Sequence, residues 1–221
     1  MSKKISIENK ILSKNQTIAD ELRELFNQKR ILTVNFVSSP GSGKTSLLEN
    51  MLVKMKDKYK IAVIEGDLET ENDANRIRKK GVPAHQIITK GDCHLEAVGI
   101  KKALEHFDLE NLDLLIIENV GNLVCPSSFD LGEDFKVVMI STTEGEDKPA
   151  KYPSMIHVSS AIIINKIDLL PYLDFNVEKC FKYAKGINPS LETFTTSCKT
   201  GEGIDEFVNW LENKLLEKKS R

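Results

Sequence analysis

The stretch ILTVNFVSSPGSGKTSLLE, from Ile31 to Glu49, joins an apolar run, a turn of small residues and a Lys-Thr pair at the head of a helical segment. That order suits phosphate chemistry. Small residues let the backbone curl so that several N–H groups converge on an anion, and a helix N-terminus adds its positive end. Gly41, Ser42, Gly43, Lys44, Thr45 and Ser46 are the candidate phosphate-binding residues. The Lys44 amine is placed for the β and γ phosphates, and the Thr45 hydroxyl for Mg²⁺. The usual pattern begins with glycine, and Ser38 stands in that place. A serine can serve there if the backbone stays in an ordinary conformation. A Gly/Ser-rich strand–helix junction followed by a surface lysine is the bland alternative, and the ordered strand, loop, Lys-Thr and helix argue against it.

Asn165-Lys166-Ile167-Asp168 follows a second apolar run, Ala161 to Ile164. A carboxylate such as Asp168 can accept from N1–H and N2–H₂ of guanine, an edge adenine lacks. Sites built on such paired bonds discriminate by roughly 10⁴. Asn165 can bond the base or tie neighbouring loops, and the Lys166 stem can lie over the ring. Ser197-Cys198-Lys199 is the matching second base loop. The expected ligands are therefore GTP and GDP. Asp67 and Glu118 each close an apolar run at the end where ligands bind in such sheets, and both are candidate Mg²⁺ and hydrolysis residues beside Lys44. Gly121 can offer its N–H to the γ-phosphate. With no glutamine evident to position water, slow intrinsic turnover is expected, tuned by a partner or by dimerisation.

Cys93-His94 and Cys125 define a softer site. Both segments leave the same sheet edge, and thiolate with imidazole suits Zn²⁺ or Ni²⁺. Three ligands fall short of a closed tetrahedral site, which two chains could complete. Cysteine is also among the residue types most often buried, so spacing alone leaves metal binding and simple packing both open. Cys180 reads as core and Cys198 as a small residue of the base loop. His85, His106 and His157 have no evident partners in the sequence.

These residues must be positioned by alternating strands and helices. Apolar runs at Ile61–Ile64, Gln86–Lys90, Leu112–Ile117, Val137–Ser141, Ala161–Asn165 and Thr193–Thr196 join the one before the phosphate loop. Helical patterns lie between them, so the expected class is α/β: a three-layer, doubly wound, mostly parallel sheet of P-loop NTPase type. Residues 1–14 read as a short strand or irregular arm, and a helix over about 15–29 packs on the sheet edge. The 221 residues make one expected GTPase domain over 1–221. A formal net charge of -2 gives no reason to expect nucleic acid or an anionic membrane. No run is long and apolar enough for a membrane span, and no secretory signal is evident. Four irregularly spaced cysteines fit a reducing cytoplasm.

SSPGSGKTSLLE, VIEGDLETENDANRI, TKGDCHLEA, IIENVGNLVCP, STTEGEDKPAKYP and NKIDLLPY, in that order, closely resemble the nickel-incorporation GTPases of hydrogenase maturation, the HypB family. The likeness runs over nearly all of residues 15–216. It implies a dimerising P-loop GTPase related to the signal-recognition-particle and urease accessory GTPases. It also implies a homodimer in the GTP state, with Cys93, His94 and Cys125 as a Ni²⁺ or Zn²⁺ site at the dimer interface. Asp67 and Glu118 take the family's Mg²⁺ and hydrolysis positions, and Lys148 falls in a motif linked to the dimer. Implied partners are a nickel-binding maturation protein and the hydrogenase large subunit, and in some members urease. Many members carry an N-terminal Cys-rich nickel motif or a His-rich stretch, which MSKKISIENK lacks. Nickel handling is then expected at the Cys93/His94/Cys125 site or through a partner. The expected function is a GTP-gated metal carrier. A GTPase switch with merely packed cysteines, a small-molecule kinase and a urease-only chaperone are the competing readings.

Overall fold

A computed structural model describes residues 2–67 and 71–220, with side chains from residue 10 onward. The elements run α1 (Ser2–Gln28), β1 (Leu32–Ser38), α2 (Lys44–Met55), β2 (Ile61–Asp67), α3 (Asn72–Lys79), β3 (Ala84–Ile88), α4 (Ala97–Ala103) and β4 (Leu114–Glu118). They continue with β5 (Phe135–Ser141), α5 (Lys148–Lys151), α6 (Pro153–Val158), β6 (Ser159–Asn165), α7 (Val177–Ile187), β7 (Glu192–Thr196) and α8 (Ile204–Lys219). Seven strands form one sheet in the order β3-β2-β4-β1-β5-β6-β7, and every pairing is parallel. The expected α/β sheet is thus present and wholly parallel. No described helix is long and apolar enough to cross a membrane.

The central strands are apolar on both faces because helices cover both. On one face Leu47, Leu48, Met51 and Met55 of α2 and Phe207, Leu211 and Leu215 of α8 pack on Val34, Phe36, Ile116 and Met139. On the other, Ala19, Leu22 and Phe26 of α1 and Ile100 of α4 cover Ile64, Leu115 and Ile117, while α6 and α7 cover Val138, Ile162 and Ile164. Connections leave β1 and β5 toward opposite faces, which opens a crevice at the carboxyl end of β1 where ligands bind in such sheets.

The N-terminal reading needs correction. Residues 2–14 are neither strand nor irregular arm but the first half of α1, which has no glycine or proline to break it. The helix also lies across a sheet face rather than at an edge. Its Asn15 fixes that pose: Nδ2 donates to the Asp130 carbonyl at 2.7 Å, and Oδ1 accepts from Ala97 N at 2.8 Å. Arg23 adds a paired contact to Asp130, which holds that carboxylate down at about 2. The polar stretch at 68–80 contains α3, and its first three residues lie outside the described ones.

Candidate nucleotide and metal site

The turn from β1 into α2 adopts the cradle expected of it. Ser38 ends β1 with extended backbone, so a glycine is not required there. Its hydroxyl accepts from Lys44 Nζ at 2.9 Å, holding the amine over the turn. Gly43, which precedes α2, has φ +97°, a region side chains rarely adopt. A Cβ there would also lie 2.6 Å from Asn165 Nδ2. The cavity beside this turn, about 380 Å³, is lined by residues 40–46 together with Gly66, Asp67, Asp73, Arg76, Glu118, Val120 and Gly121. A Cβ on Gly121 would lie 3.0 Å from Pro40 Cα, so the loop after β4 presses on the cradle.

Two strands deliver carboxyl groups to this cavity. Glu118 ends β4, accepts from the Thr45 hydroxyl at 2.9 Å and lies 4.0 Å from Lys44 Nζ. Its other oxygen is buried without a hydrogen-bond partner. Parallel register places Glu65 of β2 directly beside Glu118. Burial, then the charge of Glu118 and a shared hydrogen bond, push the Glu65 carboxyl well above the carboxylate range. Glu118 is also raised by burial, opposed by Lys44 and by bonds from Glu65 and Thr45. Burial of two adjacent carboxyls therefore raises both, Glu65 the further. Asp67 ends β2 on the cavity wall.

The base end is tied to the cradle. Asn165, left open between two roles, takes the loop-tying one: Nδ2 donates to the Ser42 carbonyl at 2.8 Å, and Oδ1 accepts from the Thr196 hydroxyl at 3.1 Å. Lys166, at φ +64°, reaches the Gly41 carbonyl at 2.7 Å. Ser197 donates to Asp168 Oδ1 at 2.6 Å and so fixes the carboxylate that would meet a base. Cys198 donates to Asn165 Oδ1 at 3.4 Å, while Lys199 is exposed.

Cys93, His94 and Cys125 converge, with ligand atoms all within 4.8 Å of one another. The two Sγ atoms are 2.8 Å apart, and Cys93 Sγ is 3.8 Å from His94 Nδ1. Burial lowers the His94 pKa, favouring the neutral imidazole a metal needs, and its Nε2 is buried without a hydrogen-bond partner. The ring lies against Phe129, 3.7 Å between centroids. Cys93 is raised, chiefly by its bond with Cys125 and then by burial. Two soft sulfurs and an imidazole form a donor set for a thiophilic divalent ion. Cys180, by contrast, is fully buried with its thiol pushed up to about 12, as a core cysteine should be.

Several contributors escaped the sequence reading. Glu65 left one signal, a charged residue inside a run otherwise buried on both faces. Arg76 of α3 gave none: its guanidinium bonds Ser46 Oγ at 3.1 Å, Glu49 at 2.6 Å and Asp73 at 3.1 Å on the cavity wall. His85 and His106, read as partnerless, stack at 3.9 Å far from this edge of the sheet.

Known proteins share this arrangement of sequence and fold. The profile of the CobW/HypB/UreG nucleotide-binding domain matches residues 32–195. The hydrogenase maturation factor HypB of Escherichia coli (strain K12) is 50% identical over 210 residues, covering 95% of this chain and 72% of that protein. The hydrogenase/urease maturation factor HypB of Helicobacter pylori (strain J99) is 46% identical over 224 residues, covering 99% of this chain and 90% of that protein. Among solved structures, the crystal structure of HypB from Helicobacter pylori in complex with nickel superposes with a TM-score of 0.87 at 44% identity, covering 92% of this chain and 96% of that one.

Proposed function

The chain belongs to the CobW/HypB/UreG family and, within it, to the HypB hydrogenase maturation factors; from that premise we propose that it is a GTP-hydrolysing nickel carrier. The observation that carries the reading is spatial. Cys125 of the Cys93–His94–Cys125 cluster lies four residues past Gly121, which itself presses on the phosphate cradle.

Gly41, Ser42, Gly43, Lys44, Thr45 and Ser46 bind the phosphates, with Lys44 exchanging Ser38 for phosphate oxygen. Asp168, oriented by Ser197, accepts from the guanine edge, and Lys166 covers the ring. Asn165 acts one step back by fixing the cradle, and Cys198 and Lys199 complete the base loop. The hard oxygens of Thr45, Asp67 and Glu118 fit Mg²⁺, and the partnerless Glu118 oxygen supports that fit. Mg²⁺ would neutralise charge developing on the phosphates during hydrolysis. Gly121 approaches the γ-phosphate through its N–H, drawing the segment to Cys125 with it.

Nickel is the cargo at Cys93, His94 and Cys125, and zinc competes for the same donors. A second copy meeting this face in the GTP state supplies further ligands. Release after hydrolysis delivers the ion in the cytoplasm toward a nickel-binding maturation partner and the hydrogenase large subunit. Urease is a second acceptor to test, because the Helicobacter pylori relative carries that role in its name.

The test is a Ni²⁺ titration of the reduced protein with GDP and with a non-hydrolysable GTP analogue, following thiolate-to-nickel absorbance and particle mass. A nickel signal that differs between the two states and disappears in Cys125→Ala is expected. Weak, identical binding in both states would leave the cysteines structural and favour a GTPase switch without metal transfer.

A further inference from the structure

We propose that Asn119 and Asn122 are positioning residues that transmit the nucleotide state to the metal loop, an inference resting on the carrier reading above. The two asparagines flank Gly121, the residue packed against Pro40 of the phosphate cradle. Both reach sideways to the segment bearing two of the metal ligands. Asn119 Oδ1 accepts from Leu95 N at 3.3 Å and from Val120 N at 3.0 Å. Asn122 Nδ2 donates to the Cys93 carbonyl at 3.1 Å, and its Oδ1 accepts from Val124 N at 2.9 Å, beside Cys125.

The two residues have different mechanical settings. Asn119 is buried, and its Nδ2 donates to Asn35 Oδ1 of central β1 at 3.3 Å. Asn35 in turn donates to Glu133 at 3.1 Å, and Glu133 pairs with buried Lys136. Asn119 is therefore a fixed pivot anchored in the sheet. Asn122 lies beyond Gly121 on the surface loop, free to travel with it. When Gly121 moves relative to Pro40, Asn122 carries the Cys93 carbonyl and Val124 together, while Asn119 holds Leu95. His94, between the moving Cys93 carbonyl and the fixed Leu95 N–H, then turns relative to the two thiols, which is the change of geometry a gated carrier needs. Leu95 has a second restraint: a Cβ on Gly66 would lie 2.8 Å from it, between Glu65 and Asp67. The metal loop is thus in touch with both carboxylate-bearing strand ends.

Peptide continuity from Gly121 to Cys125 could move Cys125 alone. It does not act on the Cys93 backbone, which lies on another connection. The thiols touch at their tips, 2.8 Å apart, and the Asn122 bonds add the link between their backbones.

The experiment measures nickel affinity of the full chain with GDP and with a non-hydrolysable GTP analogue, in the parent, Asn122→Ala and Asn119→Ala. Thermal unfolding runs alongside. The ratio of the two affinities is the coupling, and by linkage nickel must change the relative nucleotide affinity by the same factor. Couplings of this type are about 5- to 150-fold. In Asn122→Ala the ratio is expected to fall to within about twofold of one, measured from either ligand. A ratio of one in the parent overturns the carrier reading itself. A parent ratio above one that survives intact in both variants overturns only the role of the asparagines. Equal loss of nickel affinity in both nucleotide states, with the ratio preserved, also overturns it, because that is what mere support of the site would do. If Asn119→Ala unfolds at the assay temperature, Asn122→Ala decides the matter, since its side chain lies on the surface loop.

Discussion

Replacing Glu65 by glutamine isolates the raised carboxyl at the phosphate end of the sheet. Glu65 is 1% exposed and lies beside Glu118 across the β2–β4 pairing. Burial and the Glu118 charge raise its pKa well above the ordinary value. In the unfolded chain the same carboxyl ionises near pH 4.3. Below that pH both states hold the proton, and Glu65 adds no pH dependence. Above it the unfolded chain loses the proton while the folded protein keeps it. Stability contributed at this site therefore falls as pH rises, by about 1.4 kcal/mol per unit, until the raised folded pKa is reached. Glutamine is nearly isosteric, does not titrate, and its amide can still donate to Glu118. Urea unfolding of the metal- and nucleotide-free protein, in steps of one pH unit upward from about pH 5, reads the difference. Glu65→Gln should gain on the parent as pH rises, by up to about 1.4 kcal/mol per unit while the folded carboxyl keeps its proton. Glu65→Ala, which removes the donor, should cost about 1–3 kcal/mol even near pH 5. A parent-to-glutamine difference that stays constant with pH would mean Glu65 is ionised when folded, and the raised pKa would have to be abandoned.

Asp168→Asn should remove on the order of 10⁴ from the preference for GTP over ATP, measured by competition binding. It should leave folding intact because the side chain is only half-buried. Gly121→Ala places a Cβ 3.0 Å from Pro40, and overpacking of this kind costs about 1–3 kcal/mol. Affinity for a GTP analogue should drop by about 5- to 150-fold while GDP affinity changes little, as read by titration calorimetry. Nickel binding should strengthen as pH rises toward the thiol range, because the ion displaces a thiol proton that the Cys125 bond and burial hold on Cys93. A lowered His94 keeps the imidazole neutral to lower pH, so the dependence should be governed by thiols, checked by thiolate-to-nickel absorbance across pH.

The geometry of the candidate site was legible where a function would require residues close together in the chain. The candidate phosphate turn, the candidate guanine motif and Cys93-His94 are local patterns, and each sits at the strand end its spacing implies. Cys125 could be matched to Cys93 because both follow strands whose ends share one sheet edge. Glu65 was harder, since its role depends on the register of β2 against β4, a relation between strands far apart in the sequence. Arg76 and Asn122 left no trace because polar side chains on loops and polar helices choose partners only after the fold is set. The N-terminal helix was cut short for another reason. Its apolar positions before residue 15 are sparse, so periodicity alone could not carry the helix back to Ser2, although nothing in the segment breaks one.

The cations around the proposed nucleotide site are already engaged. Lys44 is held by Ser38, Lys166 by the Gly41 carbonyl, Lys148 by Glu144 at 3.2 Å, and Arg76 by Ser46, Glu49 and Asp73. Phosphate binding by Lys44 consequently exchanges an internal hydrogen bond for a charge-assisted one, and only the difference appears as affinity. Holding the cations in this way limits repulsion among them and keeps the side chains near their working positions. It also sharpens the contrast between nucleotides. Diphosphate can satisfy the cradle itself, whereas drawing Gly121 inward requires an acceptor on the γ side. The metal loop, bonded to the residues on either side of Gly121, would then respond to the one phosphate that hydrolysis removes.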